Sequence, residues 1–153
     1  MQDLRTVLSS DALNKLRDGY DASAMRTAML TATVEPYPPL ARWNEAIADT
    51  FYGDESPLAP IDRERCIIAL LAHNGAQFSL AVHLYWGLME GLSVNELCHI
   101  IGLAACYAGI PSVGNSYPVL AKVLTTMSRI SETSRYGSLD VVERLVAELV
   151  TKA

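Results

Sequence analysis

The sequence predicts an all-α fold, a multi-helix bundle of seven or eight helices around a buried antiparallel helical hairpin. Three observations carry that prediction. No stretch shows sustained alternation of apolar and polar residues between turn signals, the pattern of a half-buried strand. Apolar residues recur instead at helical spacing, as in Leu139, Val142, Leu145, Val146 and Leu149. The segment from Ala76 to Glu90 is apolar almost all round, which marks a helix buried on every side. Asn74-Gly75, just before it, supplies the backbone freedom that a tight turn between two helices needs.

The elements follow in chain order. Residues 1 to 35 read as weakly amphipathic helix, with Ser10 placed to cap Asp11 to Arg17 and Ala22 to Thr33 rich in helix formers. Glu35-Pro36-Tyr37-Pro38-Pro39 excludes helix before Leu40 and favours an extended approach. The helix from Leu40 to Phe51 presents Leu40, Trp43, Ile47 and Phe51 on one side, a stripe expected to face the core. After a polar loop, Pro60 fits the first helical position of the arm that ends at Asn74. Gly91 stops the second arm, and Ser93-Val94-Asn95-Glu96 is a capping box, which accounts for Glu96 without catalysis. Gly109 fits a helix C-cap and Pro111 the start of the next segment. The helix that follows must either kink at Pro118 or begin there, capped by Asn115 or Ser116. Ser138 to Val150 closes the chain as an amphipathic arm.

A length of 153 residues is one domain's worth, comprising an N-terminal helical arm (1–39), a core (40–128) and a C-terminal helix (138–151). With 50% hydrophobic and only 19% charged residues, the chain has more apolar surface than one small core uses, so a homo-oligomer is expected. A net charge of -5 without a basic cluster excludes nucleic acid as a partner. The N-terminus shows no secretory signal pattern, and the longest nearly uncharged run, Leu97 to Val113, is interrupted by His99, Gly109 and Pro111. A cytoplasmic protein without a membrane partner is the expectation. Cys66, Cys98 and Cys106 lie on apolar helices without short pairing and read as buried free thiols.

The chemistry-bearing residues are Glu64 and His83. Glu64 lies eleven residues before Gly75 and His83 eight after. In an antiparallel hairpin their α-carbons therefore differ in height by only about 4.5 Å. Glu64 shares a face with Ile67, Ile68 and Leu71, so its carboxylate points toward apolar neighbours. A buried imidazole beside a desolvated carboxylate is how proteins arrange a proton donor and acceptor. The same pair can instead satisfy its own hydrogen bonds and fix helix register. Glu96-Leu97-Cys98-His99 spells the Glu-x-x-His unit of di-iron bundles, but those need a second unit and two more glutamates, so no metal and no cofactor are expected.

The run Arg63-Glu64-Arg65-Cys66-Ile67-Ile68-Ala69-Leu70, then His83, then Gly91-Leu92-Ser93-Val94-Asn95-Glu96-Leu97, then Tyr107-Ala108-Gly109-Ile110-Pro111 resembles the carboxymuconolactone decarboxylase and alkylhydroperoxidase-D-like family. The resemblance implies an all-α fold of the alkylhydroperoxidase-D-like type, assembled into trimers or hexamers. The peroxidase branch of that family places a Cys-x-x-Cys pair before the histidine; here those positions are Ala76 and Ser79, while Glu64 and His83 match the proton-relay positions. Without a thiolate to attack peroxide and a second thiol to resolve the sulfenic acid, peroxidase chemistry lacks its parts. The decarboxylase branch keeps the histidine and dispenses with the cysteines, although the tryptophan-rich run of the dedicated decarboxylase is missing before Arg63.

The leading expectation is a decarboxylase-like enzyme in which His83 moves a proton on a small carboxylated lactone or related enolisable substrate and Glu64 orients the imidazole. Arg63 and Arg65 are candidates to hold a substrate carboxylate, although both flank Glu64 off its face, and Tyr107 is a candidate pocket residue. Two alternatives stand beside it: a peroxidase relative using Cys66, and a non-enzymatic oligomeric scaffold with a structural Glu64-His83 pair.

Overall fold

A computed structural model describes residues 3–25, 27, 37–53, 56–133 and 137–150. Most of the expected helix from Ala22 to Thr33 lies outside the described residues, which include its helical start at 22–25. Among the described residues there are helices and turns and no strand. The α-helices are α1 (Ser10–Asp18), α2 (Ala41–Tyr52), α3 (Pro60–Asn74), α4 (Gln77–Met89), α5 (Val94–Ala108), α6 (Ile110–Ser131) and α7 (Ser138–Val150).

The α3–α4 hairpin is built as its punctuation requires. Pro60 stands in the first turn of α3, where a missing N–H costs nothing. Gly75 ends the helix in the left-handed region, φ 68° and ψ 21°, and its N–H donates to the Leu71 carbonyl. A Cβ at Gly75 meets no atom, so conformation alone decides the cost of adding one. Gly75→Ala is accordingly expected to cost about 1–2 kcal/mol, checked by chemical denaturation, with Gly75→Asn milder.

From Leu80 to Met89, α4 buries every residue but His83, with Leu80, Leu84, Tyr85 and Leu88 essentially inaccessible. Its cover comes from within the chain. Helix α3 lies along it, and α6 packs on α1, α3, α4, α5 and α7. The N-terminal arm adds Leu8, Ala12, Leu16 and Met25 to the core, and Arg17 of α1 donates to the Leu88 and Leu92 carbonyls at the end of α4. The second arm of the hairpin therefore needs no other copy of the chain to bury it.

Several expectations need correction. The cap of α1 is Ser9, not Ser10: its hydroxyl accepts from the Ala12 N–H. Pro38–Leu40 forms a 3₁₀ turn leading into α2 rather than an extended approach. In α2 the buried residues are Asn44 and Ala48, whereas Trp43 and Phe51 are 60% and 57% exposed. The helix is rotated from the expected register because Tyr52, at its end, stacks on Trp86 of α4. Helix α6 begins at Ile110 and runs through Pro118. Gly109, at φ 86°, ends α5 and starts α6, and Pro118 and Gly114 lie on an exposed flank where water can take up the carbonyl that proline leaves unpaired. The cysteines are free, but Cys66 and Cys106 are exposed on helix sides that the bundle leaves uncovered, and Cys98 is half-buried against the core.

Among the described residues, no helix is long and apolar enough to cross a membrane. The C-terminal helix α7 docks through Val141 and Leu145.

Candidate functional site

The hairpin brings Glu64 of α3 and His83 of α4 together, as their similar height in the two arms predicts. His83 Nδ1 lies 2.8 Å from Glu64 Oε2. Glu64 is fully buried, whereas 12% of the His83 side chain is exposed. A carboxylate only accepts, so Nδ1 carries the proton and donates it to Oε2. That assignment leaves Nε2 unprotonated in the neutral ring, and it has no hydrogen-bond partner among the described residues.

Around this pair the chain builds a closed circuit. The His83 ring stacks on Trp86 (centroids 5.7 Å apart, 14° between planes), one helical turn further along α4. Trp86 stacks on Tyr52 (5.7 Å, 24°), and the Arg63 guanidinium lies 4.5 Å from the centre of the Tyr52 ring. Arg63 Nε then faces Glu64 Oε1 at 4.0 Å. Both of those atoms are buried without a hydrogen-bond partner. Trp86 is fixed from its other edge, where its indole N–H and the Tyr20 hydroxyl both donate to Glu90 Oε1, at 3.2 and 3.1 Å. Burial pushes the Tyr20 phenol up, and the Glu90 carboxylate adds to the effect. Burial also raises Tyr52, with the Glu64 charge next in size. Both phenols therefore stay neutral through the physiological range, as donors or packing surfaces rather than bases.

The two arginines of the sequence reading separate. Arg63 is 9% exposed and donates from Nη1 to the Phe51 carbonyl at 3.2 Å, tying the end of α2 to the site; it is no surface residue. Arg65 turns away, pairing with Asp62 at 2.5 Å and with Glu96 at 2.9 Å. Tyr107 is 85% exposed near the end of α5 and is not among the groups that contact His83 or Glu64. Tyr52, Trp86 and Glu90 were missed. Trp86 was findable, three residues after His83 on the same face. Tyr52 was not, because its place depends on how α2 docks.

The Glu-x-x-His unit is committed elsewhere. Glu96 completes the capping box with Ser93 and pairs with Arg65, while His99 Nδ1 donates to the Asn95 carbonyl. The Ser93 N–H, and then Arg65, hold the Glu96 carboxyl down at about 2. Its folded value lies below the ordinary carboxylate value of about 4.3, so this interaction stabilises the fold above that pH and is lost as pH falls toward 2. Acid titration of Glu96→Gln should therefore show a shallower loss of stability over that window than the parent.

Residues 38–122, more than half of the chain, match the model of the carboxymuconolactone decarboxylase family. No curated protein and no solved structure matches the chain. The matched span runs from the turn before α2 into α6 and takes in Tyr52, Arg63, Glu64, His83, Trp86 and Glu90. By that match, the chain belongs to the carboxymuconolactone decarboxylase family.

Proposed function

We propose that the chain is a decarboxylase-like lyase in which His83 is the proton-transfer residue and Glu64 its orienting partner. The 2.8 Å contact between a fully buried carboxylate and the Nδ1 edge of a partly exposed imidazole carries this reading. The substrate is a small carboxylated lactone or related enolisable acid. Loss of carbon dioxide from its carboxylate leaves the bonding electron pair on carbon as an enolate. Protonated His83 gives its Nε2 proton to that carbon and is reprotonated from solvent, while Glu64 stabilises the imidazolium. The stack on Trp86 holds the ring plane against rotation during transfer.

A peroxidase reading receives less support, since Ala76 and Ser79 stand where the two thiols would be needed. Screening carboxylated lactones and 2-oxo and 3-oxo acids for carbon dioxide release, with His83→Gln as control, tests the proposal. Release lost in the variant is expected; release equal in both, or from no member of the panel, would overturn it.

The same reading includes a homo-oligomer, trimeric or hexameric. Leu103 and Tyr107, one turn apart on α5, and Ile110, which opens α6, are 63%, 85% and 84% exposed, apolar surface that a second copy would cover. Light scattering at micromolar concentration should give a multiple of the 16.7 kDa chain mass, and a monomer would contradict it.

A further inference from the structure

We propose that the cavity beside Arg63 binds one kind of organic anion, a single carboxylate carried on an apolar, ring-sized body. The cavity has a volume of about 550 Å³ and lies between the end of α2, residues 56–58 and the first half of α3. Its wall is apolar, formed by groups such as Ile47, Phe51, Leu58, Ile67 and the Tyr52 ring. Among its described lining residues Arg63 is the one charged side chain.

Arg63 is nine-tenths buried, yet its donors are largely unspent. Nη1 reaches the Phe51 carbonyl, Nε is buried without a partner, and Nη2 makes no hydrogen bond to any described residue. A desolvated guanidinium with free donors is costly to maintain, and a carboxylate matches its fork with two parallel charge-assisted bonds. Glu64 Oε1, at 4.0 Å from Nε, partly balances the charge from behind, so the site calls for one further anion and not two. A dicarboxylate would leave its second charge unpaired against apolar walls. An acid as small as acetate would leave those walls uncovered.

Arg63 and Tyr52 also line a second cavity of about 430 Å³, whose wall includes Trp86, the ring stacked on His83. The two cavities are thus joined through Arg63 and Tyr52, and the ring that stacks on His83 belongs to the second. As a substrate site this inference rests on the chemistry proposed for His83, but binding is measurable without turnover.

Cys66 supplies the probe, because it is exposed and lines the larger cavity, while the equally exposed Cys106 does not. The rate of iodoacetamide alkylation at each cysteine is read by peptide mass spectrometry, with 3-phenylpropionate, 3-phenylpropionamide or acetate present. The acid should protect Cys66 at a concentration roughly tenfold or more below that of the amide, as expected for one charge-assisted pair, and should leave Cys106 unchanged. Acetate should protect poorly. Arg63→Gln should abolish the preference for acid over amide, and His83→Gln should keep it. Because Arg63 also ties down α2, Thr50→Trp provides a second variant that fills the cavity from an exposed position and should abolish protection. Equal protection by acid and amide, no protection by the acid, or a Cys66 inert in the native protein would each overturn the proposal. Protection that follows the predicted pattern without carbon dioxide release from any acid would contradict the function proposed for His83 and leave this site standing.

Discussion

His83→Ala is expected to destabilise the fold by about 3–5 kcal/mol, the usual loss when one member of a buried charged pair is removed. Glu64 is 0% exposed, and among the described residues its side chain has one hydrogen bond, from His83 Nδ1 to Oε2. Oε1 already lacks a partner, and Arg63 Nε at 4.0 Å lies beyond hydrogen-bond reach. Deleting the imidazole leaves a buried carboxylate without its donor side chain. For a chain of this size the melting temperature should fall by roughly 6–20 °C. Adding Glu64→Leu to the variant removes the stranded group and should recover much of the loss, giving a strongly non-additive double-mutant cycle. A His83→Ala protein that melts within about 2 °C of the parent would show that Glu64 has another source of satisfaction, since the cost of stranding it should exceed 1 kcal/mol.

Glu64→Gln is expected to lower the rate of the proposed reaction by about 10²–10⁴-fold with only a modest change in stability. The amide keeps the shape of the side chain and can still bond to Nδ1, so it fills the same buried space. It can present its NH₂ to Nδ1, which locks the ring in a neutral form, because protonating Nδ1 to regenerate the imidazolium would break that bond. It also removes the charge that stabilises the imidazolium. Stability and carbon dioxide release measured on the same preparation separate the two effects. A variant that keeps full activity would sink the orienting role of Glu64, and one that fails to fold would show that the pair is chiefly structural.

Much of this site was legible in the sequence because it depends on local rules. Gly75 fixes the turn of the hairpin, helical rise then sets Glu64 within about one helical turn of the height of His83, and an almost wholly apolar α4 makes the pair buried. The capping box at Ser93 and the proline starts at Pro60 and Pro111 are likewise set within one turn of chain. What the sequence did not show depends on docking. The rotation of α2 is set by Tyr52 meeting Trp86, thirty-four positions away, and no periodicity within α2 encodes that contact. Arg63 was expected beside the Glu64 face rather than in it, because helix-wheel geometry places the α-carbon and not the reach of a long side chain. Its guanidinium folds over Tyr52 and joins the circuit from the flank. The free cysteines misled for a related reason: apolar composition around Cys66 and Cys106 does not decide which side of a helix the bundle covers.

The central claim is that Glu64 holds one His83 proton on Nδ1 and leaves Nε2 as the edge that takes up and delivers the transferred proton. Long-range nitrogen–proton correlation of the imidazole ring reads this directly in ¹⁵N-histidine protein at alkaline pH, with His83→Gln giving the assignment. The account predicts a neutral ring with protonated Nδ1, unprotonated Nε2 and a downfield, slowly exchanging Nδ1 proton, and loss of that pattern in Glu64→Gln. A ring with its proton on Nε2, or a pattern unchanged in Glu64→Gln, would contradict it.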